Sequence, residues 1–432
     1  MDIELLYLLI ILGVFWLTAA KFKLPIGLAM MLSALAGIIA FSVAHPYQFI
    51  HIPRHLVDGS FGYIEPVITI AAAMLFMKFI AAAGALEAFN VMVLEAFHKR
   101  PTILLIIFML LLMFPAMITG SSVTSIVSAG ALVVPTLLAM GVPKRETAAI
   151  IVSGSIFGMI APPINLPVMI IADIVDMPYI GFTLPLLILT VPLAIFSVLF
   201  LGRRHVKNID IERIKEKVSF TIKDEVTPLV YLPFIILIVL MVIINVFPTW
   251  LPPLGLPLVF LMPAVLALVV GKRFNFMKTS KQAVYSALPV MGILFGVGMF
   301  IQALTLTGAR GYVVYNIMSL GQITLGNHPI FLYLGSMTLI PLFGALSPFG
   351  SASVFGGPYV IVLLFLNPII VASALSLLTG VGDFIPPSVV ALHSQQILEL
   401  ERYTPVLKKL IVPIIVTIAY TMLYMILLGL YW

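Results

Sequence analysis

Apolar residues in this 432-residue chain come in long unbroken blocks, and polar residues gather at the block edges instead of alternating through them. A helix of about 20 apolar residues spans the roughly 30 Å hydrocarbon core of a bilayer, so each block predicts a membrane-crossing helix. In the first half the blocks are Ile3 to Ala20, Leu24 to Ala44, Ile64 to Leu86, a double-length block from Thr102 to Met140, an interrupted one from Arg145 to Ala172, and Ile180 to Leu201. The second half repeats the order with Leu229 to Phe247, Leu254 to Val270, Val284 to Leu306, a double block from Ile330 to Leu366, an interrupted one from Ile369 to Leu398, and Val406 to Trp432.

The interruptions are the most informative stretches. One reads Ser153-Gly154-Ser155, then Gly158, Pro162-Pro163 and Asn165; the other reads Gly380, Gly382, Asp383 and Pro386-Pro387-Ser388. Proline has no amide hydrogen and clashes with the preceding turn, so each pair breaks its helix and frees carbonyls that hydrocarbon does not solvate. Each double block carries small residues at its middle, Gly120-Ser121-Ser122 and Gly350-Ser351-Ala352-Ser353. It is therefore either two crossings or one re-entrant hairpin.

Charge fixes the side on which each double block ends. Lysine and arginine flanking short loops stay cytoplasmic. With both double blocks as hairpins, each half crosses about five times, and all of the 23 basic residues except Arg54, Lys78 and Arg310 fall on the cytoplasmic side. The prediction is an all-α polytopic membrane protein of two inverted repeats. Residues 1–201 form the first (hairpin 102–140, broken helix 145–172), 202–226 a charged cytoplasmic linker, and 227–432 the second (hairpin 330–366, broken helix 369–398), with both termini outside. Gly84 and Gly308, Lys78 and Gln302, and the two proline pairs all stand 224 residues apart, and the tips are expected to match Gly120 with Gly350. Glu87 to Arg100 and Ala309 to Leu325, less apolar than their neighbours, are expected to lie along the interface.

Composition narrows the class. At 62% apolar and 9% charged, the chain belongs in a bilayer. The net charge of +6 is spread singly and in pairs between apolar blocks, which suits topology and not nucleic acid. Zero cysteines exclude disulfides, thiolate nucleophiles and cysteine metal sites. Asp2 and Glu4 precede the first block and Lys21 and Lys23 follow it, the reverse of a signal peptide, so it reads as a retained helix. No phosphate-binding glycine loop ending in lysine occurs, so transport draws on an ion gradient or a partner, and no nucleophile-base or metal set suggests an enzyme.

Where a small-residue tip meets a broken helix, carbonyl and hydroxyl oxygens converge, which suits a hard cation such as sodium. Half-helix N-termini offer amides to an anion, so a carboxylate is expected between the two sets. The sodium candidates are Thr119, Gly120, Ser121, Ser155, Gly158, Ser347, Gly350, Ser351, Gly380 and Asp383; the substrate candidates are Ser122, Asn165, Ser353, Ser388 and Lys78. Lys78, about eight residues from the cytoplasmic end of its block, either holds a substrate carboxylate or snorkels to the interface. Asp383 either binds a cation or proton or caps the second half-helix. Asp173 and Asp176 mark the outer end of the first broken segment. His51 and His55, with Pro53 between them in an outer loop, are not expected to share a helical face.

The tip Gly120-Ser121-Ser122, followed by Pro135, Gly141-Val142-Pro143 and Gly158-Met159-Ile160-Ala161-Pro162-Pro163, resembles the first-half signature of the large membrane subunit of tripartite ATP-independent periplasmic transporters. The likeness covers nearly the whole chain. It implies an elevator-type sodium-coupled importer of the ion transporter superfamily, working with a periplasmic binding protein that captures an organic acid and a small four-helix membrane subunit. Members usually carry a serine directly after the first proline pair, whereas here Ile164 and then Asn165 follow; Asp383-Phe384-Ile385 departs from the usual second-half run. The alternative is a self-sufficient sodium- or proton-coupled di- or tricarboxylate symporter of the same superfamily.

Overall fold

The computed structural model describes residues 2–206, 228–246, 254–323 and 330–431. Most of the expected linker at 202–226 thus lies outside the described residues, as do parts of the blocks Leu229 to Phe247 and Val406 to Trp432 and the end of the stretch Ala309 to Leu325. Among the described residues all regular structure is helical.

The first half contains α1 (Ile3–Trp16), α2 (Ile26–Ala44), α3 (Ile52–Phe61), α4 (Ile64–Ala82), α5 (Ala85–Phe97), α6 (Pro101–Thr119), α7 (Ser122–Ser125), α8 (Ala131–Ala139), α9 (Lys144–Ile160), α10 (Leu166–Ile174) and α11 (Thr183–Gly202). The second contains α12 (Leu232–Val246), α13 (Leu256–Ala267), α14 (Phe276–Leu306), α15 (Ala309–Ile323), α16 (Ile330–Gly344), α17 (Pro348–Ser351), α18 (Gly357–Val362), α19 (Pro368–Gly382), α20 (Val389–Ile397) and α21 (Thr404–Tyr431). Among the described residues eight helical spans, one of them running from α7 through a π-helical segment into α8, are long and apolar enough to cross a bilayer.

Two bundles result. In one, α14 packs along α2, α3 and α4, and α13 lies against α4 and α12. Glycine sets these crossings: a Cβ on Gly27 would strike the backbone of Gly292 and Ile293, and one on Gly298 would strike that of Gly59. The other bundle joins α6, α9 and α11 to α16, α19 and α21. Its helices are tied across the halves by Tyr420 Oη donating to the Ile188 carbonyl at 2.8 Å and Tyr424 Oη to the Pro185 carbonyl at 3.2 Å. The first bond is a repair. Pro192 has no amide to offer the Ile188 carbonyl one turn back, and the tyrosine supplies the missing donor.

Both double blocks fold back on themselves. Near the start of α6, Leu105 packs under Gly202 at the end of α11, and Gly141, just past α8, lies 3.5 Å by its added Cβ from the His205 carbonyl. Entry and exit of this block therefore lie at the same end of the bundle. In the second block Gly335 on α16 faces the Tyr359 hydroxyl on α18. The two broken helices enter from opposite ends: α9 begins beside the start of α21, where Lys409 Nζ meets Glu146 Oε1 at 2.8 Å, and α19 begins beside its end, where the Asn367 amide donates to the Gly429 carbonyl at 3.0 Å.

Several expectations change. The third block ends as a helix at Ala82, because Gly84 adopts φ +83° and redirects the chain into α5; Gly308, at φ +75°, makes the same turn from α14 into α15. Lys78 is consequently four residues from its helix end and not eight. The stretch around His51 and His55, expected as a loop, is helical: a 3-10 turn at Pro46–His51 leads into α3, where Pro53 sits in the first turn and deletes an amide that had no partner to lose. The block Leu254 to Val270 yields only the short α13, whereas α14 starts early at Phe276, with Asn275 Oδ1 accepting the Lys278 amide at 2.9 Å.

Gly298→Ala is expected to lower the thermal unfolding midpoint of the purified protein by the equivalent of about 1–3 kcal/mol, because its Cβ has backbone in its path. Gly292→Ala, with nothing within 4 Å of an added Cβ, should leave the midpoint unchanged or raise it. Differential scanning fluorimetry of the two variants checks both.

Candidate functional site

Each proline pair interrupts its helix where expected, between Ile160 and Leu166 and between Gly382 and Val389, and each pair is joined by a cis peptide bond. Chain reversal at the hairpin tips uses one device twice. In the first, Gly120 takes φ +62° and Ser121 caps α7 by accepting the Thr124 amide at 3.3 Å; in the second, Ser347 caps α17 by accepting the Gly350 amide at 3.1 Å. Ser125 Oγ then reaches back to the Leu112 carbonyl, and Ser351 Oγ to the Ile340 carbonyl, so each return arm is stapled to its entry arm. A π-helical segment follows in both, Ile126–Gly130 and Ala352–Gly356.

This register corrects the expected pairing of Gly120 with Gly350. Ser121 corresponds to Ser347, Ser125 to Ser351 and the π-segments to each other, while Gly350 lies inside the short helix α17. A Cβ on Gly350 would contact the Phe15 ring of α1, at 3.2 Å.

Tips and breaks meet through glycine. An added Cβ on Gly120 would lie 2.7 Å from Leu166 Cγ, and one on Gly158 would strike the Met113 backbone, so the first tip rests on the first break. Gly344 and Gly382 likewise bring the second tip onto the second break, backbone against backbone. The two breaks also touch. Asn165 Nδ2 donates to Ser376 Oγ at 3.0 Å and to the Ile160 carbonyl at 2.7 Å, Gly380 abuts Ile160, and the rings of Phe157 and Phe384 stand 6.0 Å apart. The half-helix after each break leans on the other half's hairpin, α10 on the second π-segment and α20 on α7.

Most candidate hydroxyls already have protein partners. Thr119 Oγ1 donates to the Pro115 carbonyl, Ser155 Oγ to Val152, Ser353 Oγ to Phe349, and Ser388 Oγ to the Asp383 carbonyl at 2.6 Å while accepting the Ala391 amide. The Ser122 hydroxyl has no hydrogen-bond partner among the described residues, although the Ser122 carbonyl accepts the Ile126 amide. Asn165 caps α10 by accepting the Val168 amide at 2.9 Å. The Asp383 side chain does not cap α20; Ser388 does, and Asp383 sits at the opposite helix end, closing α19, buried and without an ion-pair partner among the described residues. Lys78 is half-buried on α4, one turn from its end, and no described contact joins it to either break. A place near the interface suits a snorkelling ammonium.

Three hydrogen bonds at the breaks escaped the sequence reading. Tyr179 Oη donates to the Pro163 carbonyl at 3.0 Å and accepts the Asn165 amide at 3.3 Å, and Tyr403 Oη donates to the Phe384 carbonyl at 3.1 Å. The signal was present, since Tyr179 and Tyr403 obey the same 224-residue spacing as the proline pairs. Ser376, the partner of Asn165 in the other half, carried no such mark. Asn165→Ala is expected to cost about 1–3 kcal/mol, since it strips a cap, leaves the Ile160 carbonyl without a donor and breaks the bond to Ser376, and thermal unfolding against Ser376→Ala separates the last loss from the first two.

The arrangement can hold a cation by oxygens and an anion by amides, and among the described residues it brings together no acid-base pair or nucleophile poised for bond making. Residues 22–430 match the family model described as "Tripartite ATP-independent periplasmic transporter, DctM component". Among solved structures, MtrF of Neisseria gonorrhoeae, described within a class of antimetabolite efflux pumps, superposes with a TM-score of 0.63 at 15% identity, over 88% of this chain and 85% of its own. The YdaH transporter of Alcanivorax borkumensis superposes with a TM-score of 0.61 at 14% identity, over 90% and 89%. Identities this low speak for the fold alone. Among curated proteins no sequence matches.

Proposed function

Because the chain belongs to the DctM-component family of tripartite ATP-independent periplasmic transporters, and is thus a multi-pass membrane subunit of a secondary transporter and not an enzyme, we propose that it imports an organic acid by sodium-coupled, elevator-type alternating access. In this reading the halves are inverted repeats. The bundle holding both breaks carries the substrate past the bundle built on α14, a periplasmic binding protein delivers the acid, and a small four-helix subunit braces the second bundle.

The observation that carries the proposal is the meeting of two tips and two breaks, with α9 and α19 entering from opposite ends. A broken helix exposes carbonyls at one half-helix end and amides at the next, so one crossing point supplies ligands for a cation and for a carboxylate. The sodium set is Thr119, Gly120, Ser121, Ser155, Gly158, Ser347, Gly350, Ser351, Gly380 and Asp383, and the acid lies toward Ser122, Asn165, Ser353 and Ser388, with Lys78 an outlying member. Buried Asp383, without a cationic side chain beside it among the described residues, favours a bound cation. In this reading the end where α9 meets Lys409, which carries Lys144, Arg145, Arg203 and Arg204, faces the cytoplasm of an inner membrane and the termini face outward, as expected from the cytoplasmic bias of basic residues.

The test is uptake of C4-dicarboxylates, citrate and other organic acids into proteoliposomes, with candidate small subunits and binding proteins from neighbouring genes. Replacing sodium by choline should abolish uptake, and Asp383→Ala or Ser121→Ala should raise the half-saturating sodium concentration at least tenfold. Equal uptake in sodium-free buffer under a proton gradient rejects sodium coupling.

A further inference from the structure

The two breaks are built from the same proline pair, yet they leave different atoms free. In a helix each amide bonds the carbonyl four residues back, so Pro162 and Pro163 orphan the carbonyls of Gly158 and Met159, and Pro386 and Pro387 orphan those of Gly382 and Asp383. Three of the four are rescued. The Ala161 amide bonds Gly158 at 3.1 Å, the Ile385 amide bonds Gly382 at 2.9 Å, and Ser388 Oγ donates to Asp383 at 2.6 Å. The Met159 carbonyl, in a residue 1% exposed, receives no hydrogen bond among the described residues.

The cause is one side chain. Ser388 directly follows the second proline pair and its hydroxyl turns back onto the orphan carbonyl; the residue in that place after the first pair is Ile164, fully buried, with nothing to donate. Asn165 comes one position later and spends its amide on Ile160 and Ser376. On α7, which packs against α9, the Ser122 hydroxyl has no hydrogen-bond partner among the described residues. A lone carbonyl at a helix C-terminus bears concentrated negative potential, and hydrocarbon offers it no solvent.

We infer that Met159 O is the principal backbone ligand for a sodium ion at the first break, and that the second break, its proline-orphaned carbonyls both covered, presents the Asp383 carboxylate instead. The inference rests on the sodium-coupled reading above, and it makes the two cation positions chemically unequal: one neutral and backbone-built, the other anionic.

The variant Ile164→Ser places a hydroxyl where Ser388 has its own, and Ile164→Ala makes nearly the same cavity without the hydroxyl. Thermal stability of purified wild type and both variants is titrated with sodium chloride, each against choline chloride at equal ionic strength. Stabilisation follows the ratio of sodium concentration to its dissociation constant. Wild type and Ile164→Ala should share a midpoint, whereas Ile164→Ser should require at least tenfold more sodium. An Ile164→Ser midpoint equal to that of Ile164→Ala overturns the assignment. So does a wild type that sodium does not stabilise beyond choline, even if uptake proceeds on another gradient; uptake, in turn, is what decides the importer reading. Should both Ile164 variants fail to fold, Ser388→Ala decides: by uncovering the Asp383 carbonyl it should hold or lower the sodium midpoint, and a tenfold rise overturns the inequality of the breaks.

Discussion

Two consecutive prolines at membrane depth remove two amide donors from a helix whose carbonyls have no water to turn to. Everything around the breaks answers that deficit. Amides tighten into three-residue turns at Ala161 and Ile385, the Asn165 side chain folds back onto Ile160, and tyrosines from downstream segments reach the Pro163 and Phe384 carbonyls. Elsewhere Pro192 provokes the same response in a regular helix, where Tyr420 of the other half supplies the donor. The hydroxyl-rich interior of this bundle is thus, for the most part, a repair system for backbone.

That view ranks the candidate side chains. Hydroxyls such as Thr119, Ser155 and Ser353 donate to carbonyls one turn back on their own helices, the ordinary fate of serine and threonine in apolar helices. They still have lone pairs to offer, but their donor is committed. Ser125 and Ser351 staple the hairpin arms, and Ser121 and Ser347 cap the tips. A serine at membrane depth is thus weak evidence of ligation until its own bonds are known.

How much was legible in the chain follows from the range of the interaction. Helix order, the interruptions at the proline pairs and the small-residue tips came from local rules, because a proline or an apolar block acts on its own neighbourhood. Hairpin register did not, since Gly350 and Ser347 both look like turn residues and only the cap formed by Ser347 distinguishes them. Block lengths misled where a single backbone angle governs: Gly84 ends α4 four residues before the apolar run stops. Contacts across the halves, such as Asn165 with Ser376, were out of reach for pattern reading, and the Tyr179 and Tyr403 pair was hidden only because tyrosines are not turn signals. The paired breaks pointed to a transporter, and the family resemblance, borne out by the family match across residues 22–430, narrowed that reading to one family.

The glycine contacts draw a further distinction between the bundles and the surface between them. Backbone-to-backbone approaches lie inside a bundle: Gly27 on Gly292 and Gly298 on Gly59 in one, Gly158 on Met113 and Gly382 on Gly344 in the other. At such crossings no side chain intervenes, so a shift of even 1 Å loses close packing over many atoms at once. Across the boundary the second tip meets the first bundle differently, with Gly350 against the flat Phe15 ring, itself tilted on Phe300 at 5.7 Å. A ring over a glycine presents a smooth face with no interlocking ridge. On the proposed elevator reading, a bundle that translates as one body would need this division, tight crossings within and a low-relief contact at the face between the bundles, with the breaks, tips and caps all on the same side of that boundary.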